Sequence, residues 1–293
     1  TSAGGGIRVL GTVTSAGGNI TLGGGAAPAT TNTVATVTSG NDGIQIDGGT
    51  LDAAAGDVSL RGSSTLDDGI GVQNGATIQT TSGTIALNGT STTATGNDGV
   101  EITGTGTTVT SATGSISVTG VGSAGDGVDV SSDAVVSSTG TATITIDGTS
   151  TAADQAGVRL QDTDTQITSV DGNVSITGTN NSNLGVFVTS GVEISSTGTG
   201  AGAATITITG TGDAGIDIDT ADTVITSVDG NVLLDGNANT LEGILIADAT
   251  ISSTGTTAAA ATITLDGSSN GAASVQLNNG ATVTSVSGDI QLT

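Results

Sequence analysis

The 293-residue chain contains no Cys, Met, Trp, Tyr or His, a single Phe (Phe187) and a single Pro (Pro28). Without large aromatics a wide core cannot be filled, so any core must be a narrow stack of Val, Ile, Leu and Ala. Lys is absent too, because the three basic residues are Arg8, Arg61 and Arg159. Against them stand 27 acidic residues, for a net charge of −24. That balance excludes binding to nucleic acid, which needs clustered Lys and Arg to neutralise phosphates, and disfavours anionic membrane surfaces. Cations are the natural counter-charge. The lack of Cys and Met removes the most oxidisable side chains, which suits a cell-surface protein built without disulfides. No apolar run reaches the roughly 18 residues of a membrane span, and no signal-peptide pattern stands at the start.

What is present is repetition. "LDAAAGDVSLRG" at 51 is followed by "VTSATGSISVTG" at 109, "ITSVDGNVSITG" at 167, "ITSVDGNVLLDG" at 225 and "VTSVSGDIQLT" at 283, each 58 residues after the last. A second series interleaves with it, from "IQTTSGTIALNG" at 78 through "VSSTGTATITIDG" at 136 to "ISSTGTTAAAATITLDG" at 251. A third phrase counts the units directly. "DGIQI" at 42, "DGIGV" at 68, "DGVEI" at 98, "DGVDV" at 126, "AGVRL" at 156, "LGVFV" at 184, "AGIDI" at 214, "EGILI" at 242 and "ASVQL" at 273 are separated by 26 and then by 30, 28, 30, 28, 30, 28 and 31 residues. One unit is therefore 28–30 residues long and alternates between two versions.

Each unit carries three short segments with period-two alternation, the mark of strands with one buried face. Val100 and Ile102, then Val109, then Ile116 and Val118 are the inward residues of one such unit. Gly, Asp, Asn and Ser punctuate the joins, as turns require. Three strands and three corners consume such a unit, and each phrase must lie above its copy in the next. The expected fold is all-β: a parallel, right-handed β-helix or β-solenoid with three short strands per coil and about ten coils, or a rod of roughly 48 Å at the ordinary strand spacing. The six-residue rhythm of left-handed hexapeptide helices is absent, as are the aromatics and hairpins of propeller blades. The whole of 1–293 is expected to be one continuous solenoid cut from a longer repetitive protein. A corner excursion is expected at 25–40, where the spacing breaks and Pro28 stands.

These "SxxGxIxIxG"-type phrases, such as "TSATGSISVTG" and "SSTGTATITIDG", resemble the β-helix regions of filamentous-haemagglutinin-like adhesins and autotransporter passengers of bacteria. The resemblance spans residues 6–293 and implies an extracellular or cell-surface rod serving as adhesin stalk, fibre or envelope layer. Its implied partners are adjacent coils of the same long chain, copies of itself and surface glycans. The characteristic secretion domain and anchor of those families are not seen in this sequence.

Catalysis is not expected. Asp67 and Asp68 form an adjacent carboxylate pair, but neighbouring residues tend to point apart, and no His, Lys or Tyr joins them. A binding role has two candidate surfaces. The Asp-Gly corners place Asp42, Asp68, Asp98 and Asp126 in one column, where repulsion between stacked carboxylates is relievable by a hard cation such as Ca²⁺; water-screened turn formation is the alternative reading of the same residues. No other cofactor is expected. Outward Thr residues (Thr143, Thr145, Thr205, Thr207, Thr262, Thr264) resemble the Thr rows of ice-binding solenoids, which implies an ice- or carbohydrate-binding face as a rival function; Thr as an ordinary outward strand residue is the plainer reading, and the intervening coils carry Ser, Asn or Leu there. On the first segment, Glu101, Asp129, Arg159, Phe187 and Asp217 follow in coil order. Arg159, between Asp129 and Phe187, is expected to pair with the one and stack on the other as local compensation; a lateral contact surface at Phe187 and Arg159 is the alternative reading.

Overall fold

A computed structural model describes residues 6–23, 35–37, 41–92, 96–200, 203–256 and 261–293. All regular structure among them is β, arranged as a 19-stranded and a 10-stranded sheet. Every pairing is between strands one coil apart and is parallel, which makes the molecule a β-solenoid with three strands per coil. The 10-stranded sheet is the stack of second segments, one strand from each of ten coils. First and third segments share the larger sheet because two strands, Val174–Val188 and Ile206–Asp219, run through the corner between them without a break.

The period-two pattern sorts the side chains. In the third segment Ile116 and Val118 lie under Ile144 and Ile146, which lie under Val174 and Ile176, and all six are fully buried. Val109, Val136, Ile167 and Ile194 form the equivalent column of the second segment. Each coil buries its apolar residues against like residues above and below, so an unbroken narrow core needs no aromatic ring.

The interior is not wholly apolar. Two residues after the second-segment core residue in the coils from Ile78 to Ile251 comes a buried hydroxyl, giving a column of Thr80, Ser111, Ser138, Ser169, Ser196, Ser227 and Ser253, while Leu51 is followed by Ala53. These side chains face the next corner. Thr80 Oγ1 donates to the Gly83 carbonyl at 2.6 Å and Ser138 Oγ to that of Gly140 at 3.1 Å. A similar device closes the third segment, where Ser64, Ser91 and Ser150 donate to the carbonyls of Asn41, Asp67 and Gly125. Most of these hydroxyls thus bond corner carbonyls, whereas Ser196 and Ser227 Oγ have no hydrogen-bond partner.

The 58-residue period has a structural correlate at the corner between first and second segments. Thr107, Thr165 and Thr223 are buried there in alternate coils, while Ala134, Val192 and Ala249 take the place in the coils between. Thr107 Oγ1 donates to the Thr103 carbonyl at 2.8 Å, and Thr223 Oγ1 to that of Asp219 at 2.7 Å. At these two the hydroxyl ties back a corner that is one or two residues longer than its apolar counterpart, as Asp219 to Val224 against Ala247 to Thr250 shows, whereas Thr165 Oγ1 has no hydrogen-bond partner. In the phrase "TSVDGNV" the glycine is obligatory. A Cβ on Gly172 would lie 1.8 Å from the Ala142 carbonyl oxygen of the coil below, and one on Gly230 1.7 Å from that of Ala204.

Of the excursion expected over 25–40, residues 25–34 and 38–40 lie outside the described residues. The flanking strands Ile20–Leu22 and Ala35–Val37 both pair with one strand of the next coil, Val58–Ser64, at Val58–Leu60 and Gly62–Ser64.

Candidate functional site

Two neighbouring columns of the first segment concentrate the charge. Backbone bonds from Gly43, Gly69 and Gly99 to the carbonyls of Asp68, Asp98 and Asp126 place the four Asp-Gly corners in one stack. Three residues further along each coil, strand pairing aligns Gln45, Gly71, Glu101, Asp129, Arg159, Phe187 and Asp217 in an outward row.

The corner carboxylates are not simply water-screened. Asp42, Asp98 and Asp126 are 5%, 9% and 3% exposed. Asp68 Oδ1 accepts the Asp98 N–H and Asp98 Oδ1 the Asp126 N–H, both at 2.7 Å, and Asp126 Oδ1 accepts the Ala156 N–H. Asp68, Asp98 and Asp126 each therefore cap the corner of the coil above. The four do not form a single ligand set. Asp42 and Asp68 converge with Asp67, Asp98 converges with Glu101 and Asp129, and Asp126 belongs to neither group.

Gly71 explains why the acidic groups crowd at this level. With no side chain there, the Asp42 carboxylate fills the space, its Oδ2 2.4 Å from where a Gly71 Cβ would sit. Glu101, directly above Gly71 in the row, feels the charges of Asp68 and Asp67.

Burial is the main cause that raises the pKa of Asp42, Asp68, Asp98, Glu101 and Asp129, and mutual repulsion adds to it. Asp98 is pushed up to about 9, by burial and then by Asp129, Asp126 and Asp68, against the Asp126 N–H. Asp129 rises to about 8 through burial, Asp126 and Glu101, opposed by Arg159 and Gln161. Burial followed by the Asp67 and Asp68 charges lifts Asp42 and Glu101 to about 7 each. Asp68 reaches about 6, burial outweighing the N–H it accepts.

Arg159 stands directly over Asp129 in the row but pairs elsewhere. Its Nε lies 2.7 Å from Asp126 Oδ2 and its terminal nitrogen 3.4 Å from Oδ1, so the expected pairing with Asp129 is corrected to Asp126. The guanidinium ends a long stem and overshoots the residue beneath its own Cα. Its other face lies 5.2 Å from the centroid of the Phe187 ring, as the expected stacking requires. Phe187 is half-buried under that contact. Asp129 meets the Gln161 amide instead, which reaches its Oδ2 at 3.3 Å, while Oδ1 accepts no hydrogen bond.

The joining of Glu101 and Asp129 to the corner column was missed by sequence reasoning. The available signal was the three-residue spacing of acids in "DGVEI" and "DGVDV".

The outward Thr residues form no continuous row. Thr145, Ser175, Thr207, Leu233, Thr264 and Gln291 succeed one another in register. Among the described residues no helix is long and apolar enough to cross a membrane.

No family model matches the sequence, and no curated protein does so. Among solved structures, a crystal structure of a TibC-catalysed hyper-glycosylated TibA fragment is 18% identical, covering 96% of this chain and 99% of that one. Its TM-score is 0.17, too low for any argument about fold or function.

Proposed function

We propose that the chain is a non-enzymatic structural rod of a large bacterial surface protein, serving as adhesin stalk, extracellular fibre or envelope layer. The observation that carries this reading is the continuity of the stack: each segment pairs in register with its copies one coil away, so the molecule is built by length rather than around a cleft. The side-chain inventory supports it, because a chain without His, Lys, Tyr or Cys lacks the usual bases and nucleophiles. Its strongly acidic surface suits a solvated extracellular fibre. Adjacent coils are its internal partners, and copies of itself and surface glycans are the external ones in this reading.

The test is electron microscopy of the native protein together with surface labelling of intact cells. Rods of uniform width on the cell exterior are expected. Compact particles with a ligand-filled cleft, or labelling confined to the cell interior, would refute it. A second reading, a solenoid face that binds ice or carbohydrate, rests on the outward Thr positions, and a thermal-hysteresis assay and a glycan array test it separately.

A further inference from the structure

We propose that Asp98, Glu101 and Asp129 form a binding site for a hard divalent cation, Ca²⁺, which clamps two successive coils together. One carboxylate oxygen from each residue lies within 4.8 Å of the other two. Even at that limiting separation a single point stands about 2.8 Å from all three oxygens, and shorter separations bring it into the range of about 2.3–2.6 Å that Ca²⁺–oxygen bonds occupy. Asp98 and Glu101 belong to one coil and Asp129 to the next, directly above Glu101 in register. Water completes the six to eight oxygens that such an ion takes.

Convergent acids alone do not make a site, and the second observation is Asp129. It is 7% exposed, yet its Oδ1 is buried without a hydrogen-bond partner. A carboxylate oxygen desolvated and left unpaired is costly, and a cation is the partner that relieves it. The neighbouring groups do not. Arg159 is committed to Asp126, Gln161 donates to Asp129 Oδ2, and the Asp126 N–H is already taken by Asp98 Oδ1. The cluster of Asp42, Asp67 and Asp68 lacks any such orphaned oxygen.

The experiment is calorimetric titration of CaCl₂ into chelator-stripped protein at constant ionic strength, with thermal unfolding followed by far-ultraviolet circular dichroism because the chain has no Trp or Tyr. A saturable heat and a raised midpoint are expected. Asp129→Asn and Glu101→Gln should each weaken binding by about tenfold or more, since affinity in oxygen sites follows the number of charged ligands. Asp235→Asn, an acid on a distant coil, should leave it unchanged. Glu101→Gln, at a half-exposed position, decides the matter should Asp129→Asn fail to fold. The proposal is overturned by an absence of saturable heat, which would mean that Asp129 meets its burial by staying protonated. It is equally overturned if the three variants weaken binding alike, the mark of diffuse screening, or if neither ligand variant weakens it.

Discussion

The Arg159 guanidinium bypasses Asp129, the residue beneath it in register, and closes on Asp126, with Nε 2.7 Å from Oδ2. The Asp126 side chain is 5% exposed and the Arg159 side chain 17%, so this is a largely desolvated pair. Arg159→Ala strands the Asp126 carboxylate and removes the contact with Phe187. A loss of about 3 kcal/mol is expected from the cost of leaving one buried charge unpaired, read from denaturant unfolding. Arg159→Lys should recover only part of it, because an ammonium cannot span both carboxylate oxygens.

The buried hydroxyls divide into satisfied and unsatisfied ones, and the two should respond oppositely to removal. Ser64 Oγ donates to the Asn41 carbonyl and accepts the N–H groups of Leu66 and Asp67. Ser64→Ala is expected to cost about 1–3 kcal/mol, the penalty of orphaning buried backbone groups. Ser227 Oγ has no partner, so Ser227→Ala should be neutral or stabilising. Paired equilibrium unfolding curves test the difference in sign.

Gly172→Ala drives a methyl group into the Ala142 carbonyl of the coil below, and backbone on both sides leaves nothing flexible to yield. A destabilisation of about 1–3 kcal/mol or more is expected, as for other overpacked sites. Gly11→Ala meets nothing within 4 Å and should change stability by less than about 0.5 kcal/mol. Their thermal midpoints should therefore separate clearly.

The acidic columns invert the usual effect of acid. Asp42, Asp68, Asp98, Glu101, Asp129 and Asp217 all have carboxyls raised by burial, between about 6 and about 9. Between the unfolded value near 4 and these folded values the native chain binds more protons than the unfolded one, so stability falls as pH rises. In chelator, the unfolding midpoint should be higher at about pH 5 than at about pH 9, falling throughout that interval and most steeply below about pH 6, where all six groups contribute. A midpoint that rises over that interval would contradict the burial of these groups. Asp98→Asn, which keeps an acceptor for the Asp126 N–H while removing the charge, should flatten the curve at its alkaline end.

The period of 28–30 residues, the three strands per coil and the inward residues Val100, Ile102, Val109, Ile116 and Val118 were determined by the sequence alone. A parallel stack repeats the same two-residue alternation at every level, so one coil read correctly describes all of them. The Ser column was also within reach, since Ser111 follows Val109 by two, but a polar residue beside a turn reads as part of the turn. Only the tertiary structure decided which acids meet. Glu101 and Asp129 join Asp98 across a corner, Gly71 opens the space that Asp42 fills, and Arg159 chooses Asp126 over the nearer column. Those choices depend on the bend of each corner and the reach of each side chain between coils about thirty residues apart, and a repeating sequence carries the order of the columns without the distances across them.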